Sequence, residues 1–278
     1  MTAMKKLLLL LLAASLVTAC ATSPTGRRQL MLISPDAAIV QSKQAYLATV
    51  SDLDKENKLV DDPKLADRVA TITGRLVTEA IAMYPNTANW EWSVAIIDDP
   101  ETVNAWCMAG GRMAVYTGLF DKLKLTDAEF AQIMGHEISH ALANHTAERM
   151  SRAMATSIGI LAVGVASDRP AATMAGGALA AKLALELPNS RTAELEADEI
   201  GMELAVRAGY DPDAAVTLWQ KMGSLGGSAP PEFLSTHPAP GNREAQLAAM
   251  IPEMRKLNPT GKKAPVTAIE IIRDAPAQ

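Results

Sequence analysis

Cysteine is nearly missing from this chain: Cys20 and Cys107 are the only two in 278 residues. Cys20 lies at the end of a leader-like segment, and one remaining thiol cannot build an internal disulfide framework. Cys107 lacks a local motif for a nucleophile, and its neighbours Trp106 and Met108 point to burial. Basic clusters are also lacking, and the formal charge is −5, which argues against a nucleic-acid partner. Past the leader there is no unbroken apolar run of the ~20 residues that a membrane-crossing helix needs. The longest apolar region, 153–187, is split by Ser167-Asp168-Arg169-Pro170 into two short arms, read as a helical hairpin over the core or facing a lipid surface. No segment repeats, which excludes a solenoid or a tandem helical-repeat domain.

What is present begins with Lys5 and Lys6 followed by an apolar stretch from Leu7 to Val17 broken only by Ser15. A basic start and a short apolar stretch mark a secretory signal peptide. Val17-Thr18-Ala19-Cys20 resembles the cleavage and lipidation signal of bacterial lipoproteins, which makes Cys20 the first mature residue and an acylated one. Acyl chains anchor a soluble domain, each buried methylene contributing roughly 0.8 kcal/mol. Ala21 rather than an aspartate after the cysteine looks like an outer-membrane address, with the protein facing the periplasm. The expected organisation is a signal peptide over 1–19, a lipid-anchored tether over 20–34, one domain over 35–256 and a polar, proline-punctuated tail over 257–278.

Apolar spacing predicts helices over 35–56 and 62–82, the second opened by Asp62-Pro63 and stopped before Pro85. Strands are expected over 91–97 and 112–117, with an irregular segment between them that carries Gly110-Gly111. Thr126 with Glu129 three residues on forms a capping box, starting a helix that should run to about Met150. Further helices are expected over 190–208, 213–222 and 241–250, with a short strand within 266–272. The fold class is α+β: a mainly helical body with a small sheet.

Inside the capped helix stands His136-Glu137-Ile138-Ser139-His140. Two histidines four residues apart share one helix face about a turn apart. Neutral imidazoles suit zinc, and two of them supply half of a tetrahedral shell. Glu137, beside the first histidine, is placed to accept a proton from an activated water and hand it to a leaving amine. The bland alternative is a pair of ordinary histidines, but polar groups set among Phe130, Ile133 and Met134 need partners. His145 is turned to the opposite side of the same helix and is read as a packing or surface residue. Glu194 and Asp198, also four apart, face one way; Glu194 can be the third ligand and Asp198 can fix a ligating imidazole from behind. One zinc ion per chain follows from this set.

These residues resemble the zinc metallopeptidase family of the prenyl-protein endopeptidases and the HtpX-type heat-shock protease, and most of all its periplasmic lipoprotein members. The resemblance runs over about 62–250 and includes Asn104-Ala105-Trp106-Cys107, Gly110-Gly111, Val115–Leu119, the zinc helix and the Glu194–Asp198 helix. Ala109 departs from the proline that often precedes the paired glycines. The resemblance implies a zincin-like metallopeptidase domain with a small active-site sheet, and a zinc endopeptidase of the envelope. It further implies unfolded or misfolded polypeptides as substrates and the outer-membrane assembly machinery as a partner. It also assigns site roles to two more residues. His237 either blocks the metal in a latent enzyme or stabilises the oxyanion; Arg243 binds the substrate backbone or the transition state. Peptide is expected to add as a strand near 112–117. The competing readings are an envelope chaperone or assembly factor with a latent site, and a purely structural zinc site with four protein ligands.

Overall fold

The computed structural model describes residues 20–166, 190–225, 232–237 and 241–275. The leader and the second arm of the expected apolar hairpin lie outside these. In chain order come β1 (Cys20–Thr22), β2 (Arg28–Leu30), α1 (Pro35–Lys55), α2 (Pro63–Met83), β3 (Ser93–Ile97), β4 (Ala105–Met108) and β5 (Arg112–Tyr116). They are followed by α3 (Thr117–Leu123), α4 (Asp127–Leu142), α5 (His145–Ala166), α6 (Arg191–Arg207), α7 (Asp213–Ser224), α8 (Glu232–Thr236), α9 (Arg243–Met254) and β6 (Glu270–Ile272). The chain falls into two compact units, one of residues 1–38 with 144–187 and the other of 39–143 with 188–278.

In the first unit the segment expected to be a tether is a hairpin. β1 and β2 pair antiparallel with Cys20 opposite Leu30. Gly26, at φ +87°, makes the reversal, and Ser23 Oγ accepts a hydrogen bond from Arg27 N. Arg27 and Gln29 both donate to the buried carboxylate of Glu148 on α5, Arg27 through two nitrogens at 2.9 and 2.6 Å and Gln29 at 3.1 Å.

The second unit is built on a four-stranded sheet in the order β4-β5-β3-β6. β3 runs parallel to β5 and to β6, while β4 runs antiparallel to β5. Side chains alternate across the sheet as a pleat requires. Val94, Ile96, Met113 and Val115 join the large core with α2 and α4, whereas Ala95, Ile97 and Ala114 meet Tyr46 and Val50 of α1. The stretch expected to be a tail supplies β6, which extends the sheet beside β3.

Local chemistry sets the helix starts. Asp62 accepts from Lys64 N at 2.9 Å with Pro63 behind it, and both halves of the Thr126–Glu129 capping box are made. One expected boundary is wrong. The zinc-motif helix stops at Leu142 rather than near Met150, because Asn144 takes a left-handed conformation (φ +56°) and α5 starts at His145. Asparagine tolerates that region better than most residues. His145 is therefore on a separate helix, buried, in the first unit.

Candidate metal centre

α4 and α6 bring the site together through a contact between two glycines. A Cβ on Gly135 would stand 2.6 Å from Gly201 O, and one on Gly201 would stand 2.7 Å from His136 N. Backbone thus packs on backbone, and the ligand residues of both helices project into one buried space. Ser190 caps α6 by accepting from Ala193 N, so Glu194 falls in its first turn.

The expected ligands converge. His136 Nε2 is 3.1 Å from His140 Nε2 and 3.3 Å from Glu194 Oε2, and His140 Nε2 is 3.5 Å from Glu194 Oε1. Ligand atoms held about 2.0–2.1 Å from a tetrahedral zinc are about 3.3–3.4 Å apart, so these edges fit that ion. His237 Nδ1 closes the figure, 3.3 Å from His136 Nε2 and 3.2 Å from Glu194 Oε1. His136, His140, Glu194 and His237 are all buried, and a ligand atom from each lies within 4.8 Å of the others. Two nitrogen lone pairs pointed together at this range repel unless a proton or a cation lies between them.

Glu137 lies beside the cluster without joining it. Its Oε1 is buried, 3.5 Å from His237 Nε2, and makes no hydrogen bond. Such an orphaned carboxylate oxygen costs roughly 1–3 kcal/mol or more, a cost that a proton-bearing reactant offsets. Burial pushes the Glu137 carboxyl above its ordinary range, although His237 and His136 pull it back.

Asp198 sits behind His136, 3.0 Å from Nδ1. With that nitrogen protonated, Nε2 is free to face a metal. Arg243 packs behind the same ligands. Its Nε donates to Asp198 Oδ2 at 2.7 Å, its second nitrogen donates to Oδ1, and its Cζ lies 3.8 Å over the Trp219 ring. The guanidinium is 3% exposed, and its remaining nitrogen is 3.5 Å from Glu194 Oε2. Arg243 therefore holds the carboxylates behind the ligands.

The electrostatics are those of an acid-rich pocket around imidazoles. Burial alone would lower His136, but hydrogen bonds to Asp198 and Glu194 raise it to about 9. Burial would raise Glu194, and His136 and His237 outweigh it to hold the carboxyl far below its usual range. A divalent cation supplies the same positive charge without protons.

The expected substrate strand also needs correction. β5 lies between β4 and β3 and offers no edge; among the described residues β4 is the outer strand, and it packs against α4. Burial drives the Cys107 thiol on β4 well up, with the Glu137 carboxylate adding to it, which fits an inert thiol facing the site helix. Trp219, Phe233 and Gly201 were not singled out by sequence reasoning. A glycine inside the 190–208 helical pattern was the available signal for Gly201; isolated aromatics gave none for the other two.

Comparison with known proteins fits this geometry. The profile of Peptidase family M48 matches residues 63–251, which contain every residue of the cluster. The chain belongs to peptidase family M48. Among its M48 relatives, a mitochondrial metalloendopeptidase OMA1 of Arabidopsis thaliana is 36% identical over 205 residues, 72% of this chain and 39% of that protein. The Bos taurus mitochondrial metalloendopeptidase OMA1 is 30% identical over 255 residues, 87% of this chain and 48% of its own. The β-barrel assembly-enhancing protease of Escherichia coli K12 is 31% identical over 208 residues, 72% of this chain and 41% of that one. The chain spans less than half the length of each of these relatives.

Proposed function

We propose that this M48 chain is a zinc-dependent endopeptidase that cleaves extended, unfolded segments of other proteins. The observation that carries the proposal is the buried Oε1 of Glu137, which makes no hydrogen bond, beside four converging metal-ligand side chains. His136, His140 and Glu194 would hold zinc, which supplies Lewis-acid polarisation of a carbonyl and makes water acidic enough to attack. Glu137 Oε1 takes the proton of the attacking water and later gives it to the departing amine nitrogen. Asp198 and Arg243 keep the His136 ring turned with its Nε2 toward the ion. The substrate pairs with the outer edge of β4, where main-chain bonding reads extension more than sequence. That favours chains that have lost their fold.

The test is hydrolysis of unfolded casein by the lipid-free, zinc-loaded chain. Glu137→Gln should lower turnover by about 10²–10⁴-fold while zinc content stays near one per chain. Equal turnover in both would end the proposal.

His237 supports a resting state with low activity, since its Nδ1 lies where a fourth ligand would be. The same placement favours a second reading, an envelope chaperone or assembly factor whose site is latent. Casein left intact by both the unaltered chain and His237→Ala would favour that reading over the peptidase. Cys20, exposed at the start of β1, and the leader before it support a lipid-anchored place at the outer membrane, facing the periplasm. The name of the bacterial relative supports a machinery of β-barrel assembly as partner; the OMA1 relatives are mitochondrial by name. Incorporation of labelled palmitate that persists in Cys20→Ser would remove the anchor from this picture.

A further inference from the structure

Phe233 touches the metal cluster through contacts that the chemistry above does not use. Its ring stacks on His237, with centroids 4.5 Å apart and planes 25° from parallel. It also lies 6.0 Å from the His136 ring and 6.0 Å from Trp219, the residue beneath Arg243. The side chain is 1% exposed. Along the backbone, His237 N donates to Phe233 O at 2.9 Å, and Phe233 N donates to Val103 O at 3.1 Å.

The bond to Val103 falls on the open side of the sheet. Tyr116 N donates to Asn104 O at 3.1 Å, so Asn104 bonds inward to β5. In an antiparallel pair the bonding direction alternates residue by residue. Val103, Ala105 and Cys107 therefore turn their backbone groups outward. The Ala105 N–H agrees, being taken by the side-chain oxygen of Asn104 at 2.9 Å. Asn104 Nδ2 in turn donates to Glu232 Oε1 at 3.1 Å, a second tie between this segment and α8. α8 thus uses the same edge that an added peptide strand would use.

We propose that Phe233 is a positioning residue that ties the place of His237 in the metal cluster to occupancy of the β4 edge. The proposal rests on the peptidase reading with His237 as fourth ligand. A peptide that pairs along the edge as far as Val103 takes the carbonyl held by the Phe233 N–H. The ring that stacks on His237 shifts with that backbone, and the imidazole leaves its vertex. Strand addition and a fourth protein ligand then exclude each other, so an extended chain long enough to reach Val103 opens the site it is to be cut in.

The test replaces zinc with cobalt(II), whose visible absorption reports ligand number and type, and compares the unaltered chain with His237→Ala, Phe233→Leu and Phe233→Tyr. Leucine fills space but has no ring face; tyrosine keeps the ring. Phe233→Leu is expected to take the His237→Ala spectrum and to lose metal to a chelator about 10-fold faster, while Phe233→Tyr keeps the original spectrum. Glu137→Gln with an unfolded casein fragment should move to the His237→Ala spectrum as the fragment binds, and this arm decides the matter if Phe233→Leu does not fold. An unchanged spectrum in a folded Phe233→Leu, or upon casein binding followed by fluorescence anisotropy, overturns the proposal. If His237→Ala itself matches the unaltered chain, the fourth-ligand reading fails and the proposal falls with it.

Discussion

At the scale of single residues, three of the chain's four histidines meet one glutamate, and the acids and bases behind them decide how they point. Asp198→Ala should weaken zinc binding by about 10–100-fold, because His136 loses the partner that fixes its tautomer. Competition with a chromogenic chelator measures it. Arg243→Ala should have an effect of the same sign on zinc affinity, and a rise in KM with unchanged zinc affinity would return Arg243 to the substrate side. The ligands were legible because spacing of four on a helix needs no knowledge of the rest of the fold. The direction of Arg243 was not, since it depends on where α9 lies against α6. Trp219 and Phe233 were hidden for a similar reason: a lone aromatic in an apolar stretch reads as core until its neighbours are known.

At the scale of elements, the two ligand helices are set by what Gly135 and Gly201 lack. Gly201→Val would drive side-chain atoms into the backbone at His136, where a bare Cβ already comes to 2.7 Å. The expected cost is at least about 1–3 kcal/mol, read as a lower Tm, together with zinc stoichiometry falling below one as the helices part. An unchanged Tm and full zinc loading would show that the helices can separate without harm. Helix existence and starts were readable from Asp62-Pro63 and the Thr126 capping box, whose partners are local. The end of α4 was not, because neither proline nor glycine marks it and Asn144 alone makes the turn. Strand identity was readable from apolar content as well, but strand order was not. Period-two patterning says which side a residue faces, and not that β4 would be the outer strand and β5 an inner one.

At the scale of the molecule, each unit carries a stabilising device of its own. In the first, burial would raise Glu148, but the hydrogen bond from Arg27, the charges of Arg152 and Arg27 and the bond from Gln29 hold its carboxyl below the ordinary 4.5. A depressed folded-state value contributes stability that is present above the unfolded value and lost as pH falls through the folded one. Hydrogen exchange of β1 and β2 amides should therefore speed up as pH drops below about 4.5, after correction for intrinsic rates. Glu148→Gln should flatten that dependence and leave the hairpin less protected at pH 7.

In the second unit, β6 completes the sheet, and the run leading to it is tied down at several points. Ala264 N donates to Ala208 O, Thr267 N to Gly74 O and Glu270 N to Trp92 O. Removing residues 263–278 should leave β3 with a bare edge and promote association of the protein, seen by light scattering; a monodisperse, zinc-loaded truncation would show the strand to be dispensable. The same pairing orders events during synthesis. β3 lies far ahead of its outer neighbour in the chain, so a chain that emerges N-terminus first carries an uncovered, apolar strand until Ile272 arrives to pair with it. That interval is when a holding factor has something to grip.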